Sequence, residues 1–204
     1  MKRKLALILI IILNSLSCSE TKKEDSQNLT VKNGILYNVK SNEPFTGVDR
    51  LYDENGQLWM ADNYKDGKRE GVSKFYYENG QLESIVFYRN DKREGKGKFY
   101  DENGQLESED NYKNGKKEGL AKLYYENGQL MIEENYKNGK QEGLSKSYYE
   151  NDQLMSEGNY KEGKREGVSK TYYENGQLEC EKNYKNGKLV FERKFNQNGQ
   201  LKTK

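Results

Sequence analysis

Enzymatic chemistry needs a base, a nucleophile or a metal, and the residue types in this sequence restrict all three. No histidine occurs among the 204 residues, which removes the commonest metal ligand and the usual general base. Cys18 and Cys180 lie far apart, and neither has a nearby cysteine or histidine with which to form a zinc site or an activated thiol. Carboxylates are plentiful, yet Glu78, Glu102, Glu126, Glu150 and Glu174 recur beside turn residues at a fixed step; a unique active site would break such a repeat. The glycines form short turn pairs with no strand-to-helix transition that could cradle a phosphate. The residues predict a protein that is not an enzyme and holds neither metal nor cofactor.

Two periodic rows could instead serve binding. Tyr76, Tyr100, Tyr124, Tyr148 and Tyr172 recur every 24 residues, as do Lys74, Lys98, Lys122, Lys146 and Lys170. A row of tyrosines offers rigid amphipathic contact area for a protein or carbohydrate, or simply cross-strand packing in a thin sheet. A lysine row reads either as an anion-binding stripe or as a solvated face. Successive lysines about 10 Å apart repel by roughly 0.4 kcal/mol in water before salt screens them, so the row needs no ligand to be tolerated.

The elements that must position these rows follow from the same period. Leu58, Leu82, Leu106, Leu130, Leu154 and Leu178 close six Glu-Asn-Gly-Gln-Leu-like segments at steps of 24, and Leu201 closes a seventh after 23. Such a period predicts a repeat array. Each unit carries a second turn, as at Asn114-Gly115 and Asn138-Gly139, and Asn-Gly between short runs marks a hairpin whose central residues need positive φ. Two turns per unit predict an all-β fold: an elongated, open, twisted antiparallel meander of roughly a dozen strands.

With two-residue loops at both turns, Leu106, Ser108 and Tyr112 share a face with Gly119, Ala121, Leu123 and Tyr125, then with Leu130, Ile132 and Tyr136. This register sets Gly71 opposite Tyr88, Gly95 opposite Tyr112, Gly119 opposite Tyr136, Gly143 opposite Tyr160 and Gly167 opposite Tyr184. Each ring is expected to lie across the bare backbone of its glycine. On the other face the tyrosine row runs beside Val or Leu. There Glu107 and Glu133 are expected beside Lys122, Glu83 and Glu109 beside Lys98, and Glu157 and Glu181 beside Lys146 and Lys170. Such pairing favours a solvated face over an anion site.

Composition bounds the class. With 32% hydrophobic and 33% charged residues, a thick apolar core cannot be assembled, while 17 tyrosines, a single proline and strict periodicity argue against disorder. The net charge of +2 falls to −1 once Lys2, Arg3 and Lys4 are set aside; with the signs interspersed along the chain, nucleic acid is not an expected partner.

Those three bases precede an apolar run, Leu5 to Leu13, of signal-peptide length. Ser17-Cys18 then resembles a bacterial lipoprotein signal, although Ser15 and Leu16 stand in swapped order. The expected organisation is a signal segment at 1–17, a lipidated Cys18 with a flexible tether at 18–30, and repeats over 31–204, with the chain anchored to a membrane in the cell envelope. Cys180 occupies the place of Ser84, Ser108, Ile132 and Ser156 in other units and reads as one more small strand residue.

The unit GKREGVSKFYYENGQL at 67–82 resembles the MORN-repeat variant of bacterial proteins grouped as YwqK-family toxin-antitoxin antitoxins. Its copies from Gly115, Gly139 and Gly163 do so too, and NGILYNVKSNEPFTGVDRLYDENGQL at 33–58 is similar to that family's opening segment. The resemblance implies the repeat fold and an antitoxin role; an envelope location also fits an immunity or adhesion partner. MORN repeats accompany some phosphatidylinositol-phosphate kinases, but no kinase motif is present here. The expectation is a surface lipoprotein that binds an unknown protein or extended polymer through its tyrosine and lysine rows. Lipid or anionic-polymer binding through the lysines is an alternative. The open sheet edges allow self-association, with Asn198 to Lys204 as a cap on one of them.

Overall fold

Short β-branched and aromatic runs punctuated by Asn-Gly leave this chain one way to satisfy its backbone, which is to pair each run with the next. The computed structural model describes residues 28–202 and does so: all regular elements in this span are strands, seventeen of them. A hairpin of Leu29–Lys32 and Ile35–Asn38 precedes an antiparallel sheet of fifteen strands that runs in chain order from Gly47–Tyr52 at one end to Lys188–Lys194 at the other. The fold is an open antiparallel meander of hairpin repeats. The first strand begins at Leu29, inside the stretch expected to be tether. The signal segment and Cys18 lie outside the described residues.

The two turns of each unit differ, which corrects the expectation of two-residue loops at both. At Asn114-Gly115 both residues have positive φ, 52° and 83°, and Lys113 faces Lys116 directly; this is the tight turn that Asn-Gly favours. At Glu126-Asn127-Gly128 only Gly128 is left-handed, at 81°. There Gly128 N donates to Tyr125 O and Tyr125 N to Gln129 O, both at 2.9 Å, and the register slips by one between Leu123 and Tyr124. The second turn is therefore a longer loop closed by a glycine bulge.

A second irregularity sits at each Glu-Gly. Tyr136 pairs with Gln141 while Glu134 pairs with Ser145, so the Glu142-Gly143 region inserts two extra residues on one strand. The same shift moves Lys122 from Glu107, its expected neighbour, to Glu109. A slip of two preserves side-chain parity, so the faces expected on either side of Glu-Gly survive, whereas the slip of one at the longer loop sets Leu130 opposite Tyr124 and not the expected Tyr125. Gly119, Ala121 and Leu123 share theirs with Ser108, Ile132 and Tyr136.

The main sheet's buried side chains all lie on that face. Val86 and Ser73 are 2% and 1% exposed, and Tyr88, Asp110, Tyr112, Ala121 and Cys180 are also buried. The other face, bearing the lysines and the first tyrosine of each pair, is open. All five glycines are cross-strand partners of their tyrosines, from Gly71 with Tyr88 and Gly95 with Tyr112 to Gly119 with Tyr136, Gly143 with Tyr160 and Gly167 with Tyr184. A Cβ built at Gly95, Gly119 or Gly167 would meet nothing within 4 Å, so no ring stands where a side chain would project. These glycines are present because their φ values lie between 75° and 101°, a conformation that other residues adopt only with strain. Bases cover several of the tyrosines, with Arg69 4.1 Å from the centroid of Tyr88 and Arg93 5.3 Å from that of Tyr112.

Candidate binding face

The open face carries a regular charge pattern across the strands. From one end it reads Lys98, Glu109, Lys122, Glu133, Lys146, Glu157, Lys170, Glu181 and Arg193, each directly opposite the next. Lys146 and Lys170 thus each gain two glutamates, one more than expected. Lys98 keeps Glu109 but meets Ile85 instead of Glu83, and Lys74 lies between Ala61 and Ile85. Burial pulls the Glu109 carboxyl upward, but Lys96 at 3.3 Å and Lys98 at 3.5 Å outweigh it and hold it below the ordinary range. Alternating opposite charges stabilise a solvated sheet face and leave the lysine row little free charge for an anion.

The first tyrosines are half-buried in a row beside it. Tyr124, Tyr148 and Tyr172 direct their hydroxyls at Glu109, Glu133 and Glu157, with distances of 3.5, 3.3 and 2.9 Å. Burial and the adjacent carboxylate raise the Tyr172 hydroxyl to about 12, so these groups stay neutral donors at ordinary pH. Tyr76 and Tyr100 occupy the same register position, each opposite the leucine that follows its turn. Aliphatic residues complete the face: Val72, Leu144 and Val168 are exposed.

Grooves form where a tyrosine meets the neighbouring turns. One, of about 630 Å³, is lined by Tyr124, Leu106 and Met131 together with Glu107, Glu126 and Glu150. A shallower hollow of about 410 Å³ recurs two units on, against Tyr172 and Leu154. Among the described residues no three His, Cys, Asp or Glu side chains cluster so as to hold a metal ion. Cys180 is buried in its strand opposite Thr171, and burial pushes its thiol up, away from reactivity.

Two contacts that position this face have no signal in side-chain patterning. The second tyrosine of each pair clips one unit to the next: Tyr77, Tyr125 and Tyr149 donate to the backbone carbonyls of Tyr100, Tyr148 and Tyr172, at 2.6, 2.7 and 2.7 Å. Where Asp101 replaces that tyrosine, its carboxylate instead accepts from the amides of Asn103 and Gln105 in its own turn. The Glu-Gly glutamates capture the following turn. Glu94, Glu118 and Glu142 accept from the turn amides of Asn114, Asn138 and Glu162 at 2.9, 2.7 and 2.8 Å. The carbonyls of Arg93, Lys117 and Gln141 take the next amide of each turn. At the start of the array Pro44-Phe45-Thr46-Gly47 performs both tasks, with Thr46 Oγ1 accepting from Asp66 N and Phe45 O from Gly67 N.

The repeats correspond to known sequences more clearly than to known structures. No curated protein matches the chain. Among solved structures, the Streptococcus pneumoniae accessory secretory protein 1, 2 and 3 complex aligns at 13% identity and a TM-score of 0.31, covering 54% of this chain and 21% of that one. TarM aligns at 9% identity and a TM-score of 0.26, covering 70% and 20%. A GtfA/B complex bound to UDP and GlcNAc aligns at 18% and 0.24, covering 55% and 23%. The chain spans about a fifth of the length of these proteins, and the scores are too low to bear on fold or function. The MORN repeat variant family, by contrast, matches at residues 46–66, 69–90, 93–114, 117–138, 141–162 and 165–186, copies whose bounds follow the hairpin units. The chain belongs to the MORN repeat variant family.

Proposed function

We propose that this chain is a non-enzymatic binding module, held at the cell envelope through a lipid on Cys18, whose open face engages a protein partner. The observation that carries the reading is the groove at Tyr124, whose lining combines Tyr124, Leu106 and Met131 with the carboxylates Asp101, Glu107, Glu126 and Glu150. That combination suits the aliphatic stem and cationic head of a lysine or arginine from another protein, and the tyrosine ring adds attraction for the cation. A second hollow against Tyr172 and Leu154 offers a further apolar contact along the strip, so that several weak contacts act together.

An antitoxin or immunity role, suggested by the likeness of residues 67–82 to the YwqK family, is a special case in which the partner is a toxin. The lysine row is a weaker candidate for lipid or anionic polymer, because Lys122, Lys146 and Lys170 each stand between two glutamates.

The test is affinity capture from the native host's envelope with protein starting at residue 19. Wild type is compared with a variant carrying Tyr100→Ser, Tyr124→Ser and Tyr148→Ser. A partner held by wild type and missing from the variant, with the sheet intact by circular dichroism, is the expected result. Recovery of the same proteins by both would reduce the tyrosine row to packing.

A further inference from the structure

Charges that alternate along the sequence separate in the fold. Each strand runs between one Asn-Gly-type turn and one Glu-Asn-Gly-Gln-type turn, so each kind occupies its own long edge of the sheet. On one edge, exposed bases face each other across every tight turn: Lys113 opposite Lys116, Lys137 opposite Lys140, Lys161 opposite Lys164, and likewise at the other three. On the other edge an exposed glutamate recurs every 24 residues from Glu54 to Glu174, and those turn segments contain no lysine or arginine. Signs that are interspersed along the chain are thus sorted onto opposite edges.

The stems of Lys92, Lys116, Lys140 and Lys164 lie beside the glycine of the next tight turn, but folding gives no reason for their charges. Like charges directly opposite one another destabilise a hairpin, and the open face of the same sheet alternates lysine with glutamate. Acids that approach the edge are outnumbered by its bases. Glu94, Glu118 and Glu142 accept from turn amides, and where Glu162 occupies a turn it pairs with Lys140 at 3.4 Å. The Asn114-Gly115 and Asn186-Gly187 turns carry no acid between their lysines. Neighbouring pairs stand about two strand spacings, roughly 10 Å, apart, which is comparable to a Debye length, so their fields merge into one positive rim.

We propose that this rim binds a flexible linear polyanion whose charges are phosphates. Flexibility is required because a sheet of this many strands twists. A chain can follow a twisted edge along its length, whereas a flat bilayer or the stiff acidic edge of a second copy meets it over only part. Phosphate is indicated because the bases of the facing pairs are lysines except at Arg89. Compact ammonium charges without a fork suit single anionic points better than planar carboxylates. The proposal is independent of the tyrosine face.

The experiment measures binding of end-labelled inorganic polyphosphate and, separately, of a glycerol-phosphate oligomer to the full chain between 50 and 200 mM salt. Expected is binding to at least one polymer, with log affinity falling linearly in log salt, and the better probe reports the phosphate spacing. Lys113→Gln, Lys116→Gln and Lys137→Gln together should lower the magnitude of that slope by about two, at roughly 0.7 for each phosphate no longer neutralised. Lys98→Gln, Lys122→Gln and Lys146→Gln on the open face should leave it nearly unchanged. No binding to either polymer at 50 mM salt, an unaltered slope in the edge variant, an equal loss in the open-face variant, or stronger binding to phosphatidylglycerol vesicles than to both polymers would each overturn the proposal.

Discussion

Glu118 shows how much one side chain does in this fold. It precedes the left-handed Gly119, and its carboxylate reaches the amide of Asn138 in the next unit at 2.7 Å. Removing it leaves a turn amide without its acceptor at the joint between two repeats. Glu118→Ala is expected to destabilise the protein by about 1–2 kcal/mol, and Glu118→Gln, which keeps an acceptor, by less. Urea unfolding of both variants checks this. Little of that role was legible in the sequence, where Glu-Gly reads only as a periodic pair, because the partner is a backbone amide one unit away. The tyrosine and lysine rows were legible because they are side-chain patterns with a strict period.

Among elements, the two turns separate what pattern can and cannot specify. Asn-Gly at 114–115 demanded positive φ twice and has it, whereas the same dipeptide at 127–128 sits in a longer loop with one left-handed residue. The difference lies in what flanks them: an aspartate or tyrosine opens the longer loop and bonds Gln129 or its counterpart across it. Faces away from the longer loop were assigned correctly because the Glu-Gly bulge shifts register by two and keeps parity, whereas the slip of one at that loop sets Leu130 opposite Tyr124 and not Tyr125. Glycine substitutions tell the roles apart. Gly119→Ala has open space for its Cβ and should cost about 1–2 kcal/mol from backbone conformation alone. Gly67→Ala should cost considerably more, since its Cβ would come within 2.6 Å of the Leu36 carbonyl as well as striking the Ile35 side chain. Thermal melts of the two variants decide the order.

Over the whole molecule, stability is distributed along one sheltered face with no thick core, and tyrosine hydroxyls on both faces carry part of its pH dependence. Burial and neighbouring carboxylates raise Tyr64, Tyr112 and Tyr172 to about 12. The folded state therefore keeps protons that the unfolded chain releases near pH 10, so this contribution is intact below pH 10 and lost as pH rises toward 12. Alkaline unfolding is expected within that window, and Tyr112→Phe should make the fall in stability less steep. The array ends where its joints end. Lys188–Lys194 lacks a Glu-Gly pair, pairs past a single extra residue at Val190, and exposes Leu189, Val190 and Phe191. Beyond it the chain turns back so that Lys202 N donates to Lys194 O. The segregation of charge onto two edges belongs to this scale and was hidden in the sequence, where the signs alternate.

The central functional claim is that the open face, not the sheltered one, meets the partner. Photo-crosslinking residues placed at Met131 and Val168 on the open face, and at Ser145 and Lys182 on the other, test it most directly in native envelope. Adducts of one shared mass are expected from the first two positions, and none of that mass from the second two. Adducts from Ser145 and Lys182 alone would refute the claim.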